Sequence, residues 1–161
     1  MSLTLKGGLL IGVLCSIWMY VVGFTGWYLD STLQSMFFLV ILIEIAVLFW
    51  MLRQLPEAEK TFAGILKTGT MMSLIAAAVI FVASYIFTTV AFPNYFEDVR
   101  ALGEQMYREQ GLTDEQIAAA TAAMAPMQTP FVNALTGSIG TIVTGFLASA
   151  VLGLIFKKKT A

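Results

Sequence analysis

The stretch Phe37–Trp50, "FFLVILIEIAVLFW", decides the fold. Thirteen of its fourteen residues are apolar, and the exception is Glu44. A bilayer core is about 30 Å thick, so a helix that crosses it needs about 20 mostly apolar residues. With its flanks, Leu33–Leu52, this stretch meets that length. Three other segments do the same: Lys6–Tyr28, Phe62–Phe92 and Phe131–Phe156. The third is longer than a crossing requires, which predicts tilt or a projecting end.

Composition agrees. Of 161 residues, 58% are hydrophobic and 12% are charged, where soluble domains carry about 25% charged residues. Helices are expected for the spans because each satisfies its own backbone in lipid, and no β-barrel alternation is present. The expectation is an all-α membrane protein, one domain over residues 1–161, with four transmembrane helices and an amphipathic helical hairpin between the third and fourth. The start continues from an apolar run into bulky "IWMYVV" with no small-residue cleavage pattern, so the first span is read as retained. Leu14 stands where a lipoprotein signal wants a small residue before Cys15.

Several function classes lose their usual residues. Histidine is absent and cysteine occurs once, at Cys15. That removes the commonest general base, cysteine-based zinc sites and an internal disulfide. Cys15 lies in an apolar run and reads as an inert buried thiol. The net charge of −1 suggests no nucleic-acid partner. No nucleophile–base pair, metal cluster or phosphate loop stands out, so the expectation is a non-enzyme without cofactor.

The few charges are segregated. Lys6, Arg53, Lys60, Lys67, Lys157, Lys158 and Lys159 fall at one side of a four-span layout. Arg100 and Arg108 fall at the other, with Asp30, Glu97, Asp98, Glu104, Glu109, Asp114 and Glu115. Basic residues stay in the cytoplasm. Both termini are therefore expected inside, and residues 93–130 outside. Trp27 with Tyr28, and Phe49 with Trp50, suit interfacial aromatic belts.

Residues 93–130 look soluble. Asn94 with Glu97 fits a capping box and Gly111 a C-terminal stop. Tyr95, Val99, Leu102 and Met106 recur at helical spacing. Thr113 with Gln116 fits a second box, opening a helix whose apolar face is Ile117, Ala120 and Met124. The hairpin is expected on the membrane surface or over the bundle. Glu97 and Glu104 share a face, and two carboxylates read as a solvated acidic surface rather than a metal site.

The last span carries Gly137, Thr141, Gly145, Ser149 and Gly153, a small residue at every fourth position. Such a ladder lets helix backbones approach closely. Gly8, Gly12 and Ser16 repeat it in the first span, and Gly69, Ser73 and Ala77 in the third. The ladder serves either packing within the bundle or a homodimer.

Glu44 stands about 12 Å in from the end of its span at 1.5 Å per residue. A charged acid there costs roughly 2.5–3.5 kcal/mol on insertion scales, so it is neutral, paired or facing water. Ser16, Thr70, Ser73 and Ser149 fall at similar depth, and Lys67 has the reach to pair with it. The expectation is a polar layer in which Glu44 joins helices; the alternative is a small ion- or proton-coupled transport module.

Two segments carry a resemblance. "FAGILKTGTMMSLIAA" opens the third span with Phe62, Lys67 and Gly69 at the spacing phenylalanine–x–x–x–x–lysine–x–glycine. "FPNYFEDVRALGEQMYREQGLTDEQIAAATAAMAP" contains a G-L-[ST]-x-E-Q-I segment at Gly111–Ile117. With the glycine-rich last span and the closing "KKK", the chain resembles the bacterial membrane proteins named domain of unknown function 4199, over nearly its whole length. The resemblance implies a four-span inner-membrane protein and no particular activity. Glu44 belongs to none of its motifs. A structural or accessory subunit, partnered by the lipid bilayer and by another membrane protein or a second copy, is the function expected.

Overall fold

The computed structural model describes residues 1–157, and the expected basic residues Lys158 and Lys159 lie outside them. Six α-helices follow one another: α1 (Leu3–Phe24), α2 (Leu39–Leu52), α3 (Phe62–Ile86), α4 (Tyr95–Glu109), α5 (Asp114–Met124) and α6 (Pro130–Phe156). Strands are absent among the described residues. Four segments are long and apolar enough to cross a membrane: Leu3–Phe24, Gln34–Leu52, Phe62–Ala91 and Pro130–Phe156.

The span ends differ from expectation where backbone chemistry intervenes. Gly26 has φ +72°, which breaks the first helix and starts a 3-10 turn at Trp27–Leu29. Trp27 and Tyr28 therefore lie beyond α1 rather than in it. A 3-10 turn at Gln34–Phe38 leads into α2. The third span ends in a π-helical turn, Phe87–Ala91, with the Phe92 amide donating to the Phe87 carbonyl at 2.8 Å. Pro93 cannot continue the helix.

Ser2, Thr61, Thr113 and Thr129 each cap a helix with the side-chain oxygen from extended backbone, ψ 150–159°. Thr113 and Gln116 complete the expected capping box, the Thr113 amide donating to Gln116 Oε1 at 2.9 Å. Asn94 does not cap α4. Its ψ of 3° leaves it in a turn rather than in the extended conformation that aims a capping oxygen at the helix, and no side-chain cap bond forms. Gly111, at φ +82°, closes α4. The Leu112 amide reaches the Tyr107 carbonyl and the Gly111 amide that of Arg108, the Schellman pattern.

In the bundle α3 is central. It runs parallel to α1 and antiparallel to α6, and both contacts pass through residues without bulk. A Cβ on Gly8 would lie 2.6 Å from Ile75 Cβ, and one on Gly12 2.7 Å from Val79 Cβ. A Cβ on Gly69 or Gly145 would collide with Ser149 or Ser73 respectively, and one on Gly153 would come 3.0 Å from Phe62. The helix starts and ends that carry Lys6, Arg53, Lys60 and Lys157 thus share one end of the bundle. Helix α2 fills the remaining corner against α1 and α6. Cys15 Sγ faces the Val40 carbonyl at 3.6 Å, Trp18 Nε1 donates to Met36 at 2.9 Å, and Phe49 meets Phe156. Ile11, Leu48, Leu52, Ile65 and Met72 are wholly buried at the centre.

The small-residue ladder of α6 holds over one half only. Gly145, Ser149 and Gly153 face α3, but Gly137 is exposed with open space around it and Thr141 bonds its own helix. Four residues turn a helix by about 40° more than one full turn, so the four steps from Gly137 to Gly153 drift around the axis. A straight contact needs steps of three and four. Ala134 and Ser138, both buried, take the places of Gly137 and Thr141, and Ser138 Oγ donates to the Ala77 carbonyl at 3.1 Å.

Helices α4 and α5 form the expected hairpin. Tyr95, Val99, Leu102 and Met106 are the half-buried face of α4, and Ile117 of α5 is buried. The hairpin is fastened to the loop after α1, where Tyr28 Oη donates to Asp98 Oδ2 at 3.0 Å. An aromatic cluster of Tyr20, Phe24, Tyr28, Phe87, Phe92 and Tyr95 fills the joint.

Candidate functional site

Glu44 faces inward because of helical periodicity. It shares a face of α2 with Val47, Leu48, Met51 and Leu52, all buried, at steps of three and four. The side chain is 3% exposed. Ser73 of α3, wholly buried, donates its hydroxyl to Glu44 Oε1 at 2.8 Å. The room for both comes from Gly145 of α6. A Cβ there would strike the Ser73 side chain and sit 2.7 Å from Glu44 Oε1.

One turn away the arrangement repeats with the partners exchanged. Ser149 of α6 lies against Gly69 of α3. Each helix offers a serine to the other's glycine, so two hydroxyls are held at the seam where α2 delivers its carboxyl. Ser149 Oγ and Thr70 Oγ1 are buried and have no hydrogen-bond partner among the described residues. Cys15 of α1, which sequence reasoning set aside, belongs to the apolar core that also holds Val47, Leu48, Met51 and Leu52 of α2.

Of the six residues expected in the polar layer, Glu44, Ser73 and Ser149 gather at the α2–α3–α6 seam, and Thr70 lies beside Gly69. Lys67 and Ser16 do not join them. Lys67 is exposed on α3, and no salt bridge joins it to Glu44 among the described residues. It stands two residues before Gly69, hence about 200° around the helix from the face that meets α6. Ser16 donates to its own helix at Gly12, 2.6 Å away, and lines the outer side of the α1–α3 pair. No group of three His, Cys, Asp or Glu that could hold a metal ion occurs among the described residues.

The site's chemistry is narrow. One carboxyl bonded to one hydroxyl can tie α2 to α3, or exchange a proton when something opens it. Outside the spans, burial and the Asp98 hydrogen bond push the Tyr28 phenol up to about 12, and burial raises that of Tyr95. Both therefore stay neutral and act as hydrogen-bonding and packing groups of the hairpin joint.

A family model described as "Protein of unknown function (DUF4199)" matches residues 6–158. The chain belongs to the DUF4199 family. No curated protein and no solved structure matches it. The residues through which the sequence resembles DUF4199 proteins have structural tasks here. Phe62 packs on Gly153, Gly69 admits Ser149, Gly111 reverses the chain after α4, and Gln116 caps α5. Lys67 is exposed on α3, as is part of Phe62.

Proposed function

We propose that the protein is a non-enzymatic structural or accessory subunit of an assembly in a bacterial inner membrane, with both termini in the cytoplasm and the α4–α5 hairpin outside. One observation carries the reading. The acid within the spans is enclosed and engaged in joining helices, the use expected of a polar group that holds a bundle together in lipid. The orientation rests on Lys6, Arg53, Lys60 and Lys67 toward one end, against Arg100 and Arg108 toward the other.

Purification in a mild detergent followed by native mass spectrometry tests the role. A stoichiometric partner or a defined homodimer is expected, and a monomer that binds nothing defeats the proposal. Orientation is tested with Glu109→Cys in a Cys15→Ala background. Labelling by a membrane-impermeant maleimide on intact cells is expected; labelling only after the cells are opened reverses the topology.

A second reading has one observation in its favour. The unpartnered hydroxyls of Thr70 and Ser149 beside the Glu44 seam suit a site that takes up a proton or an ion. A small ion- or proton-coupled transport module predicts flux in proteoliposomes that Glu44→Gln abolishes while the helical content stays unchanged. Absence of flux in the wild type removes this reading.

A further inference from the structure

A groove of about 990 Å³ runs along the outer side of the α1–α3 pair, away from the Glu44 seam. Val13, Ile17 and Val21 form one wall, and Ala78, Val82 and Ile86 the other. We infer that this groove holds the acyl chain of a phospholipid drawn from the leaflet on the hairpin side.

The lining excludes polar ligands. The three hydroxyls beside it are already used: Ser16 donates to Gly12 at 2.6 Å, Tyr20 to Ala83 at 3.4 Å and Thr25 to Val21 at 2.7 Å. Everything else on offer is hydrocarbon, and the volume falls in the range of about 300–1,000 Å³ typical of ligand sites. Both walls belong to membrane spans, so the groove opens into the bilayer.

Length selects the occupant. The groove extends from Val13 to Thr25 on α1 and from Ala78 to Ile86 on α3, which is about 12–18 Å at 1.5 Å per residue. One leaflet contributes half of a core of about 30 Å, or about 15 Å. A helix from a second copy could seat in it over only about two to three turns, well short of a full span. In the other half, Gly7, Gly8 and Gly12 press α1 directly against Met72, Ile75 and Val79, with no space for a side chain. On the hairpin side the groove reaches Thr25, just before the left-handed Gly26 and the Trp27 turn. Tyr20 and Phe24, stacked into the aromatic joint, stiffen that end.

This inference is independent of the role given to Glu44. The test is photolabelling in phosphatidylcholine vesicles containing a phosphatidylcholine with a diazirine on one acyl chain, followed by peptide mapping. Labelling of the Val13–Thr25 and Ala78–Ile86 regions is expected to exceed that of the lipid-facing residues of α6 several-fold. Ala78→Trp, which fills the groove, removes the excess; Val143→Trp on the exposed side of α6 leaves it. Circular dichroism checks that each variant folds, and if Ala78→Trp does not, Ala78→Leu takes its place. Equal labelling of groove and α6, or an excess that survives Ala78→Trp, overturns the inference. So does a dimer in the same vesicles that Ala78→Trp dissolves, because the occupant would then be a second copy.

Discussion

Adding one methyl group at Gly145 separates the packing described here from a mere wealth of small residues. In Gly145→Ala the new Cβ meets the Ser73 hydroxyl and lies 2.7 Å from Glu44 Oε1, so α6 must shift from α3 or Ser73 must leave Glu44. Overpacking of this kind costs about 1–3 kcal/mol. Loss of the hydrogen bond adds about 0.6 kcal/mol, and at most about 1.7 kcal/mol, on the scale measured within membranes. The internal reference is Gly137→Ala on the same helix, where a Cβ meets nothing within 4 Å. Both substitutions gain the same helix propensity of roughly 0.5–1 kcal/mol, and this cancels in their difference. Gly145→Ala should therefore be less stable than Gly137→Ala by about 2–4 kcal/mol. The assay is reversible unfolding in mixed micelles, followed by circular dichroism as denaturing detergent is titrated in. If the two variants agree within about 0.5 kcal/mol, the scatter expected of independent sites, α6 does not seat on Ser73 and Glu44 as described.

Three further outcomes follow from the same geometry. A double-mutant cycle of Glu44→Ala and Ser73→Ala in that assay should show a coupling of about 0.6–1.7 kcal/mol; strict additivity would mean that the bond contributes nothing. Lys67→Met should change stability by less than about 0.5 kcal/mol, because Lys67 is exposed, whereas a buried partner of Glu44 would cost about 3–5 kcal/mol. Burial and the Asp98 bond raise the Tyr28 phenol from 10.0 to about 12. Its contribution to docking the hairpin is thus complete below pH 10 and is lost as pH rises through about 12. Ultraviolet titration of phenolate, wild type minus Tyr28→Phe, should place this group near the raised value; a midpoint at 10 would remove the buried contact.

The four spans were legible because an uninterrupted apolar run needs no partner to be recognised. The inward turn of Glu44 was legible too, from the cost of an acid facing lipid and not from spacing, because α2 is apolar all round. Lys67 was misjudged because α3 is apolar around most of its circumference, and depth alone does not say which side meets α2. The α6 ladder misled for a geometric reason: a four-residue repeat and a 3.6-residue helix part company within a few turns. Cys15 carried a readable signal, its four-residue step from Ile11, which reads equally well as ordinary core. The π-helical turn at Phe87–Ala91 left no trace in the sequence beyond Pro93, and with it went the conformation that Asn94 needed to cap α4.

The Glu44–Ser73 bond also has a history in time. The serine comes 29 residues after the acid in the chain. At roughly 5–20 residues per second of ribosomal synthesis, α2 must wait on the order of 1–6 s before the group that satisfies its carboxyl has even been made. During that interval the nascent hairpin of α1 and α2 has to keep Glu44 in the insertion machinery or the bilayer unaided. Of the four spans α2 is the most apolar, so its surplus of leucine, isoleucine and valine acts as ballast for an acid whose partner has yet to be translated.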